Sequence, residues 1–295
     1  MESTLPGKSK NSTTGRSEKW ASAGLRLLSA LAPGMAERLA LELFLRPRTP
    51  RAGALPVVPG LPAHRFDLTV SGQRLAAWDW GEGPTVLLAH GWNGRAAQLS
   101  AFVEPLVRAG HYVVAFDQPA HGQSEGVRTN LVEMAAAVRA VGKRTGPLHA
   151  VIAHSMGGAA ATLALARGLE AQRAVFIAPP ADVRVFAAFM GRHLGLPEAR
   201  VAGMLARLAE KVGPLEELQA EQLAPQMKAK LLVMHDPLDR EVPFAHGKTI
   251  AEAWPGAVLE ALSGLGHNRP LRDAGVVKKA VEFVSQDLRP LARSA

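Results

Sequence analysis

Cysteine is absent from the 295 residues, so disulfides and thiolate chemistry are excluded. No apolar run approaches the roughly 20 residues that span a bilayer. Neither zinc-finger spacing nor interleaved aromatic and basic residues occurs, and aromatics make up only 5% of the chain. The net charge of +8 is scattered, so it is read as solvated surface, and no nucleic-acid partner is expected. No cluster with metal-ligand spacing is present, and Gly81-Glu82-Gly83 is a turn too short to cradle a nucleotide phosphate. Neither metal nor cofactor is therefore expected. No internal repeat is visible.

What is present describes a folded globular chain: 47% apolar residues against 20% charged, and length enough for one large α/β domain or two small ones. Residues 1–19 are polar and Ser/Thr-rich and are read as a disordered tail. Residues 20–46 carry Leu25, Leu28, Leu31, Met35, Leu39, Leu43 and Phe44 at helical spacing, interrupted at Pro33-Gly34. Two helices packed on the main domain are expected here, with a peripheral membrane or partner contact as the alternative. A proline-rich linker, 46–62, closes this N-terminal segment (20–62). Arg26 interrupts the apolar stretch, the preceding polar region is long and no cleavage site follows, so a signal peptide is not read and a cytoplasmic location is expected.

From residue 63 to 295 the pattern is that of a single domain. Phe66–Val70 and Arg74–Trp80, separated by Ser71-Gly72-Gln73, read as a hairpin. Short apolar runs follow at 85–90, 111–116, 148–154, 174–178, 230–235 and 257–262. Helical patterns lie between them at 96–109, 129–144, 156–169, 244–253 and 270–287. Such alternation predicts an α/β fold, a mostly parallel central sheet with helices on both faces. The stretch from about 180 to 228 exceeds what a crossover needs and predicts a small helical cap insertion.

Ligands of open α/β sheets bind beyond the carboxyl ends of the strands. Ser155 falls there, in Val151–Ala160 (VIAHSMGGAA), between a strand and a helix. A hydroxyl at such an elbow is either a nucleophile or a helix cap. Small neighbours at Ala153 and Gly157 meet the elbow's steric demand. A base is available in His267, within the loop SGLGHN (263–268), and an orienting acid in Asp239, within HDPLDREVP (235–243). The order Ser155, Asp239, His267 is that of a hydrolase elbow. Amide donors for a developing oxyanion are expected at Met156 and Trp92. His90, at the end of the first parallel strand, is read as holding its loop.

With AHGW (89–92), DQPAHGQS (117–124), AHSMGG (153–158), DPLDREVP (236–243) and GLGHNR (264–269) in this order, the chain resembles the α/β-hydrolase fold superfamily over roughly residues 65–287. The resemblance implies a catalytic triad of Ser155, Asp239 and His267, with structural parts for Asp117 and His121-Gly122. Asp182 is the rival acid, since some relatives carry the carboxylate on that strand. Ala153 departs from the family's usual glycine. The activity implied is cleavage of an acyl bond in a small-molecule substrate, first a carboxylic ester of short to medium chain. Thioesterase and aminopeptidase-like activities share the triad. A non-catalytic ligand-binding homologue would ordinarily lack a member of it.

Overall fold

A computed structural model describes residues 14–48 and 60–286. Among them, eight strands form one sheet: β1 (His64–Val70), β2 (Gln73–Trp80), β3 (Thr85–Ala89), β4 (Tyr112–Phe116), β5 (Leu148–His154), β6 (Ala171–Ile177), β7 (Lys230–His235) and β8 (Val258–Ala261). Their spatial order is β1-β2-β4-β3-β5-β6-β7-β8. β1 and β2 are the expected hairpin, with Val70 opposite Gln73. Positive φ at both Ser71 and Gly72 gives the turn the twist that a tight hairpin needs. β2 runs antiparallel to β4, and every pairing from β4 through β8 is parallel.

Parallel strands covered on both faces have no polar side, and β3 and β5 are buried at every position. Alternate residues feed two cores. Val86, Leu88, Ala150 and Ile152 join Leu99, Phe102, Val276 and Val284 on one face. That face is covered by the turn Ala96–Phe102 and by α3 (Val103–Arg108) and α10 (Ala274–Ser285). The helices α4 (Leu131–Arg144), α5 (Met156–Ala166) and α9 (Phe244–Ala253) complete the sheet-bearing unit. Two expected helices are divided. The first, 96–109, is 3₁₀ up to Phe102 before α3 begins. The second is divided at Asp273, whose carboxylate accepts from the Val276 amide and caps α10.

The helical elements before the sheet are α1 (Thr14–Leu31) and α2 (Pro33–Phe44), divided where Pro33 interrupts the chain. Residues 14–19, expected in a disordered tail, thus begin a helix; residues 1–13 and most of the proline-rich linker lie outside the described residues. The cap region holds α6 (Val183–His193), α7 (Glu198–Val212) and the short α8 (Ala220–Leu223). The described residues of 14–44 and 184–213 form one compact unit, and those of 45–183 and 214–286 form another. Within the first, Glu37 of α2 pairs with Arg207 of α7 at 3.3 Å. Gly203 lets that carboxylate approach, since a Cβ there would lie 2.4 Å from it. Phe44 meets Phe186 edge-on with centroids 6.0 Å apart. The first two helices therefore belong with α6 and α7, held by contacts between residues 170 positions apart.

Candidate active site

Ser155 sits between β5 and α5 with φ 51° and ψ −127°, a conformation that costs a non-glycine residue on the order of 1–3 kcal/mol. Its amide donates to the Ile177 carbonyl and its own carbonyl accepts from Gly158, which pins the corner. The hydroxyl makes no capping bond to α5, so the helix-cap reading of this serine fails.

Glycines let the neighbouring backbone close on the corner. A Cβ on Gly157 would lie 2.4 Å from the Ala89 carbonyl oxygen and 2.6 Å from that of His90. One on Gly91 would lie 2.8 Å from Ser155 Cβ and 3.3 Å from the Met156 nitrogen. The loop after β3 thus runs directly over the serine and the first amide of α5. Ala153, the departure from the family pattern, lies between Ala89 and Phe176 in the sheet and is fully buried. The elbow's tightness falls on Gly157, and the methyl at residue 153 is housed beside the small Ala89.

That loop is built on neutral histidines. His90 Nε2 accepts from the Gln118 amide at 2.9 Å, which leaves Nδ1–H to donate to the Gly91 carbonyl at 2.8 Å. With both nitrogens committed, and burial lowering its pKa to about 4, His90 holds the loop and is no base. His121 likewise accepts from the Asn93 amide at 3.2 Å and bonds the Pro119 carbonyl at 2.9 Å. Burial, aided by the neighbouring His90, lowers its pKa to about 3. The Asp117 carboxylate accepts from the amides of Ala96 and Gln123 at 2.8 Å each, tying the loops after β3 and β4 together. A Cβ on Gly122 would strike that carboxylate.

Asp239 and His267 meet. His267 Nδ1 is 2.7 Å from Asp239 Oδ2, and the other carboxylate oxygen accepts from the amides of Glu241 and Val242 at 2.8 and 3.0 Å. Burial opposes the charge on Asp239, but hydrogen bonds from His235, His267 and Val242 outweigh it and hold the carboxyl well below the usual range. An imidazole donating from Nδ1 to a carboxylate presents the lone pair on Nε2, as a general base requires. Ser155, Asp239 and His267 are each between 7 and 9% exposed. His267 is fixed beside the serine's own strand, because its carbonyl is 3.0 Å from His154 Nε2 and the two rings lie 4.7 Å apart. Asp182 is elsewhere, near His246, whose pKa burial lowers and this carboxylate raises. The rival acid is not the one brought to His267.

Three further residues support this arrangement. Asp236 accepts from Leu238 at 2.7 Å, and from the amides of Gly266, at 2.8 Å, and Leu265, thereby anchoring the loop that carries His267. His235, fully buried at the end of β7, places Nε2 2.9 Å from the Val242 carbonyl and 3.4 Å from Asp239 Oδ2. Glu241 Oε2 stands 4.0 Å from His267 Nε2, while Asn268 holds its other oxygen at 2.9 Å. A histidine closing a strand just before the acid loop was the available signal for His235. Nothing in the residue pattern marks Glu241.

Among the described residues no group of three or more His, Asp or Glu could hold a metal ion. A hollow lined by Pro147, Leu169 and Met227 lies near the amino ends of β5 to β7, on the opposite edge of the sheet from the serine. The model of the alpha/beta hydrolase family matches residues 86–280, and the chain belongs to that family. The "Monoacylglycerol lipase" of Mycolicibacterium smegmatis is 27% identical over 201 residues, which cover 65% of each chain. An esterase of Pyrococcus furiosus superposes with a TM-score of 0.63 at 23% identity, over 80% of this chain and 97% of that one. An esterase from Exiguobacterium antarcticum gives 0.58 at 16% identity, over 74% and 98%.

Proposed function

We propose that the protein is a serine hydrolase that cleaves a carboxylic ester through an acyl-enzyme on Ser155. The observation that carries this reading is a serine at an uncapped, positive-φ elbow whose preceding residue, His154, packs on a histidine that bonds a buried carboxylate through Nδ1. Ser155 Oγ attacks the substrate carbonyl while His267 Nε2 takes its proton. The oxyanion receives the amides of Met156 and Trp92, the first of them at the amino end of α5, where the helix dipole favours negative charge. Collapse expels the alcohol, which takes the proton back from Nε2. Water then repeats the sequence with the acyl-enzyme, releasing the carboxylic acid and the free serine. Family membership and the lipase named among its relatives support an ester over a thioester or amide. Asp239 orients the imidazole and stabilises its cation; Asp236 and His235 are positioning residues for the loop and the acid.

The test is hydrolysis of p-nitrophenyl esters of increasing chain length by wild type and Ser155→Ala. Wild type should turn over the butyrate, with kcat/KM in the variant lower by about 10⁴-fold or more. Equal rates in the two proteins, or no turnover of any ester by wild type, would reject the proposal.

A further inference from the structure

The five large apolar side chains of α1 and α2 at positions 27, 31, 35, 39 and 43 are 36–76% exposed: Leu27, Leu31, Met35, Leu39 and Leu43. They recur every fourth residue along two successive helices. The two helices meet at Ala32, whose amide bonds to the Leu28 carbonyl and whose own carbonyl accepts from the Ala36 amide. A soluble surface of scattered leucines needs no explanation, but a row of five does. The same compact unit also exposes Val185 and Phe189 of α6. Seven of the ten large apolar residues exposed on the described chain thus fall in this unit, so the feature is local to it.

The charge around the row is of one sign. The exposed ionic side chains between residues 22 and 44 are Arg26 and Arg38. The two carboxylates of that stretch are engaged, Glu37 by Arg207 and Glu42 by its own partner. Residues 1–48 carry eight Lys and Arg against four Glu, half of the chain's net charge in a sixth of its length. Apolar side chains flanked by unopposed arginines match a hydrocarbon boundary lying beneath anionic headgroups. A second protein copy would match the leucines and leave the arginines facing each other.

We infer that the exposed face of α1 and α2 is a membrane-docking surface that lies on anionic lipid bilayers without crossing them. No helix among the described residues is long and apolar enough to span a membrane. The leucines enter the acyl boundary and the arginines pair with lipid phosphates. The surface belongs to the helical unit and uses no residue of the serine site, so the inference stands or falls apart from the proposed chemistry.

Co-sedimentation of the full chain with phosphatidylcholine vesicles containing 30% phosphatidylglycerol, and with pure phosphatidylcholine vesicles, tests it. The protein should bind the anionic vesicles and bind the neutral ones far more weakly. Leu31→Glu/Leu39→Glu should lower the partition coefficient by about tenfold or more, through lost insertion and added repulsion. Arg26→Gln/Arg38→Gln should lower it by about fivefold per arginine on anionic vesicles. Both pairs replace exposed side chains, and an unchanged thermal unfolding curve shows that the fold persists. Equal binding of wild type and the Glu variant, equal binding to both vesicle types, or no binding at all would overturn the inference. A wild-type dimer that the Glu variant converts to monomer, without vesicle binding, would assign the face to a second copy instead.

Discussion

At the scale of single residues, two carboxylates competed for one histidine in the sequence, and geometry separates them. Asp239 reaches His267 at 2.7 Å while accepting two backbone amides, whereas Asp182 lies near His246. Asp239→Asn should therefore lower kcat on p-nitrophenyl butyrate by about 10³–10⁴-fold, because an amide presents its donor to Nδ1 and favours the wrong tautomer. Asp182→Asn should change it by no more than about threefold, because that carboxylate lies near His246 and does not bond His267. Comparable losses in both variants would mean that the acid is misplaced. The motif spacing made Ser155, Asp239 and His267 legible as candidates, since each belongs to a short loop after a strand. It could not show that the serine hydroxyl leaves its helix uncapped, which depends on φ and ψ at one residue. Nor could it show Glu241 beside Nε2, because nothing but the folded path of the loop brings that side chain there.

At the scale of elements, six strands were visible as short apolar runs and the first two as a hairpin about Ser71-Gly72; the signal was plainest in β3 and β5, because strands buried on both faces allow few polar residues. The helices were visible where their period ran unbroken, and were overextended where a capping residue such as Asp273 starts a new helix inside the pattern. The partners of α1 and α2 were not legible. Their apolar period says that one face is buried but not against what, and Glu37 finds Arg207 only after 170 intervening residues are folded. The same period hid a second fact. Residues 25, 36, 40, 41 and 44 are buried, while 27, 31, 35, 39 and 43 face outward. Apolar residues on both sides of a helix imply two partners, and the folded chain supplies one.

At the scale of the whole molecule, the site depends on histidines kept neutral in the core. Burial lowers the pKa of His90 to about 4, and burial with neighbouring imidazoles lowers His121 and His154 to about 3. His111 and His246 shift the same way. Each binds a proton in the unfolded chain below about pH 6.5 but not in the folded one, so stability is full above that pH and falls as the pH drops toward the folded values. Three such groups give a slope on the order of 4 kcal/mol per pH unit near pH 5. Asp117, whose pKa burial raises, offsets part of this on acidification. The depressed Asp239 adds to the loss below about pH 4, its unfolded value. Urea midpoints followed by circular dichroism should fall steeply between pH 6.5 and 5. A flat profile there would mean that these histidines are charged or exposed in the folded protein.

The site itself is assembled from the ends of β5, β7 and the loop after β8, so its most direct test reads all three at once. Wild-type protein treated with a fluorophosphonate should gain the mass of one phosphonyl group, mapped to the peptide holding Ser155, and Ser155→Ala should gain none. His267→Ala should label far more slowly, since nothing else accepts the serine proton. Adduct formation at another residue, or equal labelling of wild type and Ser155→Ala, would show that Ser155 is not the nucleophile.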